Sequence, residues 1–343
     1  MKKILVTGGA GYIGSHFVVK LLQSGYETIV YDDFSNSNPK VFDRIEQITG
    51  KKTEWLRGDI QNEELLAKLF SKNKIDSVVH FAGKKSVKES QEFPLDYYSV
   101  NVQGTLTLLK VMERYDVRNL IFSSTATVYG DNDGHPIREE EPLNPINNYG
   151  KSKRMVEIIL ESLSSSNPKW NFCILRYFNP VGAHPSGLIG EDPFGPPANL
   201  MPIISQVAVK RREEVLIYGN DYPTRDGTGA RDYVHVEDLA DAHVSALNYL
   251  KKNKGFDIFN IGTGKNTTVK EMLETFSKVN RVEIPFKIVG RRPGDSAICF
   301  ADVQKARKVL NWSSSRTLEE MCRDSWNWQF LNPYGYSTEP EGH

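Results

Sequence analysis

The chain reads as an α/β protein: a doubly wound parallel sheet followed by a smaller mixed α/β domain. Three observations predict this. Short apolar runs alternate with amphipathic helical patterns up to about residue 180. The first of these runs opens directly into a glycine-rich turn. After residue 180 the texture changes to a stretch dense in proline and glycine.

Lys3-Ile4-Leu5-Val6-Thr7 has the apolar character of a buried parallel strand. Phe17, Val18, Leu21 and Leu22 then recur on one side of a helix that Gly25 ends. The same reading places strands near 27–31, 53–57, 77–81, 118–123 and 171–176, with helices near 12–24, 61–72, 95–114 and 147–163. Pro180, Pro185, Pro193, Pro196 and Pro197 predict long ligand-facing loops without regular structure. Helical patterns return near 199–212, 236–251, 268–279 and 316–328, separated by strands near 215–218, 257–260 and 285–289. These fit a second domain over 181–331 set against a first over 1–180. The polar tail, 332–343, carries two prolines and two glycines and is expected to fray.

The charge balance excludes some partners. Lysine plus arginine and aspartate plus glutamate number 43 each, so nothing draws the chain to nucleic acid or an anionic membrane, and any anionic ligand needs a local site. No apolar run approaches a membrane span, and a first strand at residue 3 leaves no room for a signal peptide. Cys173, Cys299 and Cys322 are few and unclustered, which predicts a reducing, cytoplasmic setting with no disulfide framework and no metal site.

Thr7-Gly8-Gly9-Ala10-Gly11-Tyr12-Ile13-Gly14 joins the first strand to the first helix. Glycines there let the backbone approach a pyrophosphate, and the helix N-terminus offers amide donors and positive dipole charge. Confirmation lies in a second strand, Thr28-Ile29-Val30-Tyr31-Asp32, ending in an acid about 20 positions on. Asp32 can accept from both hydroxyls of an adenine ribose and repels a 2′-phosphate, so NAD is favoured over NADP. Gly58-Asp59-Ile60 and His80-Phe81-Ala82-Gly83 close two further strands at the end where such sheets bind ligands. Asp59 suits the adenine edge; Phe81, Ala82 and Gly83 suit the ribose and nicotinamide. The first domain is therefore expected to be Rossmann-like.

Tyr149-Gly150-Lys151-Ser152-Lys153 sets a phenol and an ammonium one helical turn apart on one face. A cation beside a phenol favours the phenolate, which makes a proton-transfer catalyst from a group whose ordinary pKa is about 10. The strand Leu120-Ile121-Phe122 ends in Ser123-Ser124-Thr125-Ala126-Thr127, offering hydroxyls that can donate to a sugar or keto oxygen. Arg231 and Arg292 suit a diphosphate, because a guanidinium fork meets phosphate oxygens at two points.

Glycine loop, hydroxyl cluster and Tyr-x-x-x-Lys together resemble the extended short-chain dehydrogenase/reductase superfamily. Arg176-Tyr177-Phe178-Asn179-Pro180-Val181-Gly182-Ala183-His184-Pro185, Gly219-Asn220-Asp221-Tyr222, Gly227-Thr228-Gly229-Ala230-Arg231-Asp232-Tyr233 and Arg291-Arg292-Pro293-Gly294-Asp295 narrow the match to the UDP-galactose 4-epimerase family. That resemblance covers all but the tail. It implies a UDP-hexose 4-epimerase in which Tyr149 removes the proton from the 4-hydroxyl while NAD is transiently reduced, giving a 4-keto sugar that turns over. Lys153 would lower the tyrosine pKa, and Thr125 would donate to the oxygen on carbon 4.

The resemblance places cofactor contacts at Gly8, Gly11, Tyr12, Ile13, Gly14, Asp32, Asn36, Asp59, Ile60, Phe81, Ala82, Gly83, Lys85, Tyr149, Lys153 and Tyr177. Substrate contacts fall at Lys85, Thr125, Tyr149, Phe178, Asn179, Asn199, Leu200, Tyr218, Arg231, Arg292, Asp295 and Cys299. Within these, Asn179 and Asn199 would donate to the diphosphate, Tyr218 would flank the uracil and Asp295 would accept from its ribose. A homodimer through helices near 95–114 and 147–163 is implied too.

Two positions depart from the family pattern. Thr125 stands where many relatives have serine, and Val100 where many have an asparagine contacting the cofactor. At Cys299 a small residue implies room for an N-acetyl group, since relatives restricted to plain hexoses carry tyrosine there. Two other functions stay open on the sequence. A nucleotide-sugar 4,6-dehydratase shares the glycine loop and the Tyr-Lys pair but places an Asp-Glu pair where Ala126-Thr127 stands. A non-catalytic NAD-sensing protein would need neither the Tyr-Lys pair nor the diphosphate grip.

Overall fold

The computed structural model describes residues 3–131, 134–292 and 295–337. Seven strands build its main sheet: β1 (Lys3–Thr7), β2 (Glu27–Asp32), β3 (Glu54–Arg57), β4 (Ile75–His80), β5 (Asn119–Thr125), β6 (Asn171–Tyr177) and β7 (Gly255–Ile261). Their order is β7-β6-β5-β4-β1-β2-β3, and every neighbouring pair is parallel. Strand order reverses between β1 and β4, which leaves a crevice beyond their carboxyl ends.

Successive residues of the strands serve opposite faces. Val6, Val30, Val79 and Ile121 pack under helices α1 (Tyr12–Gln23), α2 (Lys40–Thr49) and α7 (Val236–Leu250). Their neighbours Leu5, Ile29, Val78 and Leu120 pack under α3 (Glu63–Lys72), α4 (Gly104–Arg114) and α5 (Asn148–Ser166). Near-continuous apolar strands are what a sheet covered on both faces requires.

A third apolar cluster holds α6 (Leu200–Ala208), α8 (Val269–Asn280) and α9 (Leu318–Leu331) together with Val215 and Ile217. The short strands Val215–Tyr218 and Phe286–Val289 pair in parallel there.

Several expectations are corrected. The strand expected near 257–260 in the second domain is β7, and it pairs with β6 in the main sheet from Gly255↔Asn171 to Ile261↔Tyr177. Phe256 and Ile258 face one helix layer, Phe259 and Ile261 the other, so this strand needs cover on both sides and only the large sheet supplies it.

Helix α2 was not expected, although Val41, Phe42 and Ile45 form its buried stripe. The helix expected over 95–114 is broken into Pro94–Tyr97, a π-helical turn over Tyr98–Gln103, and α4. Pro180 lies in a strand, Asn179–Val181, paired only with Tyr233–His235; a two-stranded ribbon leaves a free edge where a missing N–H costs nothing. The tail does not fray from 332 onward: Asn332 is buried and donates to Gly187 O at 2.8 Å, and Tyr336 packs on Trp328. The rest of it, from 338, lies outside the described residues, as do Pro293 and Gly294 of the arginine motif.

One polar contact ties α5 to the sheet. Glu157, in α5, accepts from Arg176 of β6 at both oxygens (3.0 and 2.8 Å) and from Ser124 Oγ of β5 at 2.6 Å. Neither charged side chain is more than 1% exposed. Arg176 also donates to Tyr129 Oη and Glu139 O, so four of its five N–H groups are bonded. A buried pair broken by removing one partner strands the other charge. Arg176→Leu should therefore lower the unfolding free energy by about 3–5 kcal/mol in urea titration, and Glu157→Met combined with it should recover part of the loss. A single-variant loss below about 1 kcal/mol would contradict this assignment.

Candidate active site

Beyond the carboxyl ends of β1 and β4 the backbone closes on itself. Gly8 sits at φ +69°, and a Cβ there would lie 2.5 Å from Ala82 N, so only glycine allows the approach of these two turns. Phe81 N and Ala82 N donate to Thr7 O at 2.9 and 3.1 Å. Helix α1 starts at Tyr12 with Gly11 as N-cap and no side-chain cap, which leaves the amides of its first turn, from Tyr12, Ile13 and Gly14, free for an anion.

Asp32, buried at the end of β2, accepts from Ala10 N (2.9 Å), Phe34 N (3.0 Å) and Ser37 Oγ (2.8 Å). Burial raises its pKa while those three donors pull it back. It thus braces the glycine turn from the end of β2. Asp59 caps its own turn through Gln61 N, and Ile60 is buried beside Gly104. Asn36 accepts from Phe194 N at 3.0 Å. These residues fit a dinucleotide.

Tyr149 and Lys153 lie in the first two turns of α5, whose N-cap Asn147 accepts from Gly150 N at 2.8 Å. Thr125 ends β5, where its hydroxyl lies 3.1 Å from Thr127 Oγ1 and accepts from Thr127 N at 3.2 Å, and it is near enough to the Tyr149 phenol to lower that group's pKa. Burial pushes that phenol up to about 12, with the Thr125 hydroxyl acting in the lowering sense. The lowering expected from Lys153 is not what this geometry gives.

The Lys153 ammonium, buried, donates to Ser123 O at 2.9 Å and lies 4.9 Å from the Phe122 ring. Burial lowers its pKa to about 8, Glu157 acting in the opposite sense. His80, held between Thr7 and Thr105, is driven down to about 3 by burial and the Lys153 charge, so it stays neutral.

The π-helical turn has a purpose here. It directs Asn101 inward to accept from Lys84 N (2.8 Å) and donate to Lys84 O (3.1 Å) and Ser152 Oγ (2.9 Å), clamping the Gly83 turn to α5. A polar side chain therefore reaches this spot from position 101 although Val100 is apolar.

Seven of the expected substrate residues converge on one cleft of about 980 Å³, mouth included: Asn179, Asn199, Leu200, Tyr218, Arg231, Arg292 and Asp295. Arg292 stacks on Tyr218, 3.7 Å from the ring centroid, and Arg231 Nη2 lies 3.7 Å from Asp295 Oδ1. Lys85 and Asn199 both reach Glu191 Oε1, at 2.9 and 3.0 Å. Phe178, Cys299, Lys85, Thr125 and Tyr149 do not line this cleft. Phe178 is buried with Ala126, Val128 and Tyr129, and Cys299 packs against that cluster. Cys299 also pairs in register with Arg231 on the neighbouring strand, and burial pushes its thiol up to about 11. Tyr177 is buried, its hydroxyl 2.5 Å from His243 Nε2.

The Thr125, Tyr149 and Lys153 group and the cleft are joined by the chain itself. Thr125 pairs in register with Tyr177, and Asn179 follows two residues later, at most about 7 Å of extended chain.

The sequence reading missed Tyr222, Tyr233 and Ile217, which also line the cleft, and the support given by Glu157 and Arg176. The alternation in Val215–Tyr218 was the available signal for Ile217.

No helix among the described residues is long and apolar enough to cross a membrane, and no group of three or more His, Cys, Asp or Glu side chains there could hold a metal ion.

The family model described as GDP-mannose 4,6 dehydratase matches residues 5–325. The UDP-glucose 4-epimerase of Bacillus subtilis (strain 168) is 51% identical over 335 residues, 98% of this chain and 99% of that protein. Among solved structures, UDP-glucose 4-epimerase from Bifidobacterium longum in complex with NAD+ and UDP superposes with a TM-score of 0.94 at 47% identity, over 98% of this chain and 100% of that one. The UDP-Glc/GlcNAc 4-epimerase of Campylobacter jejuni gives 0.85 at 36% identity, over 96% and 100%. With the glycine turn, the Tyr149-Lys153 pair and the arginine-lined cleft in these positions, the chain belongs to the UDP-glucose 4-epimerase family of the extended short-chain dehydrogenases/reductases.

Proposed function

We propose that this chain interconverts UDP-glucose and UDP-galactose by inverting carbon 4, with NAD held by the glycine turn, the α1 N-terminus and Asp32. The observation that carries the reading is the convergence of Thr125, Tyr149 and Lys153 at a point two residues of chain from a cleft with two arginines. Arg231 and Arg292 would grip the diphosphate, and Asn179 and Asn199 would donate to it. Tyr149 takes the proton of the 4-hydroxyl and later returns it, while Thr125 donates to the same oxygen. NAD held there would supply reversible hydride acceptance at carbon 4, so the reaction would have no net oxidation.

Burial raises the Tyr149 phenol and Lys153 does not lower it in this geometry, so the proton would be drawn off by positive charge that NAD brings when bound, with the Lys153 charge added to it in that state. A dehydratase also needs an acid and a base for the loss of water from carbons 5 and 6. Ala126-Thr127 forms a turn of 3-10 helix after Thr125 and offers neither.

Phe93, Leu95, Met155 and Ile158 are large and exposed, on and beside Pro94–Tyr97 and on α5, which supports a homodimer through this face. The cysteine usage supports a cytoplasmic setting.

Three outcomes follow. Tyr149→Phe should keep NAD and UDP binding and lose about two to four orders of magnitude in turnover, measured by product formation; wild-type turnover would remove Tyr149 from the mechanism. Because Lys153 carries its charge only below its pKa of about 8, kcat/KM should fall as pH rises through that value, and Lys153→Met should lack this limb. Finally, Cys299 lies outside the cleft but is small and pairs beside Arg231, and the family resemblance sets the sugar's space next to it, so the site should also admit UDP-N-acetylglucosamine and UDP-N-acetylgalactosamine. Cys299→Tyr should overfill that space and lose the N-acetyl activity selectively. Equal losses on both sugar classes, or a wild type inert toward the N-acetyl sugars, would refute it.

A further inference from the structure

The turn at 332–337 touches more of the molecule than a covering for Trp328 would need. Tyr336 N donates to Asp192 Oδ2 at 2.8 Å, and Asn332 Nδ2 donates to Gly187 O at 2.8 Å. Lys40 of α2 donates to Tyr336 O at 3.2 Å, and Arg211, just past α6, donates to Pro333 O at 3.0 Å. Gly335 lies at φ +66°, and a Cβ on it would fall 2.0 Å from Asp192 Oδ1. An apolar cap on Trp328 would not require that approach; holding the Asp192 carboxylate against the turn does.

Asp192 belongs to the segment 184–199, which runs from the turn to the site. Glu191, its neighbour, lies between Lys85 and Asn199, and its carbonyl accepts from Trp328 Nε1 at 3.3 Å. Three residues after Glu191, Phe194 N donates to Asn36 Oδ1. One segment therefore contacts residues assigned to the cofactor and to the diphosphate, and the turn at 332–337 is bonded to that segment at Gly187 and Asp192.

We propose that this turn is a strap: Asp192 and Gly335 are positioning residues that fix the 184–199 segment, and with it Glu191 between Lys85 and Asn199 and Phe194 beside Asn36. What the positioned residues bind rests on the epimerase reading; the strap itself does not.

The test uses the full chain and two readouts. In Gly335→Ala and Asp192→Ala, amide hydrogen exchange over 188–195 should quicken by about tenfold while α9 amides keep their protection. KM for UDP-galactose should rise by about fivefold and NAD should be lost faster on gel filtration, with kcat at saturating NAD changed by less than about twofold. Asp192→Asn retains an oxygen that accepts from Tyr336 N and should restore both readouts. If Gly335→Ala does not fold, Lys40→Ala, which removes one exposed side chain's bond to the turn, should still quicken exchange over 188–195. Wild-type exchange and wild-type KM in the folded variants would overturn the strap. Faster exchange in a protein whose wild type turns over no UDP-sugar would instead overturn the epimerase reading and leave the strap in place.

Discussion

Glu157 and Arg176 face each other at two points where neither can reach water, and the placement of Thr125, Tyr149 and Lys153 depends on that pair. Helix α5 carries Tyr149 and Lys153, β5 carries Thr125, and β6 leads through Tyr177 to the cleft. Glu157 bonds to both strands at once, through Ser124 and Arg176, and so sets the height of α5 on the sheet. Buried charge is expensive, and its stabilising effect is less important here than its demand for one geometry: any slide of α5 would leave a carboxylate or a guanidinium uncompensated. The triplet inherits its precision from this demand. A catalytic group misplaced by about 1 Å loses much of its effect.

Electrostatics in the site follow from the same burial. A phenol held near 12, a lysine near 8 and a histidine near 3 are all shifted toward their uncharged forms, the sense that desolvation dictates. Charge entering with the ligands then acts in a medium that screens it weakly, so it can move these equilibria far more than it could in water. In the cleft the opposite arrangement holds: Arg231 and Arg292 stay accessible, with Tyr218 beneath one and Asp295 beside the other, ready for a doubly charged ligand. The Thr125, Tyr149 and Lys153 group and the arginine-lined cleft are thus separated in space but joined by two residues of β6's continuation, a layout suited to a sugar that must turn while its nucleotide stays fixed.

Much of this was legible in the sequence because it is local. A strand, a glycine turn, a helix and an acid about 20 residues on are all set by neighbours in the chain, and Tyr149 and Lys153 share a face through helical spacing alone. What stayed hidden depends on distant partners. Gly255–Ile261 reads as an ordinary short strand, and nothing in its seven residues says that it pairs with β6. The π turn at Tyr98–Gln103 shifts the inward register by one residue, so Asn101 reaches the site where helical periodicity points elsewhere. Asn332 and Gly335 look like tail residues until Gly187 and Asp192, more than 140 positions earlier, come to meet them. Composition marks a segment as polar; it does not say what holds it.

The central claim is that hydrogen leaves and returns to carbon 4 inside one closed site without loss of water from the sugar. Incubating the purified protein with UDP-galactose in deuterated water, with no dinucleotide added, and following the sugar by proton NMR tests it directly. The account predicts UDP-glucose that retains hydrogen, not deuterium, at carbon 4. Deuterium at that carbon, a 4-keto-6-deoxy sugar, or no conversion by a protein that carries NAD would contradict it.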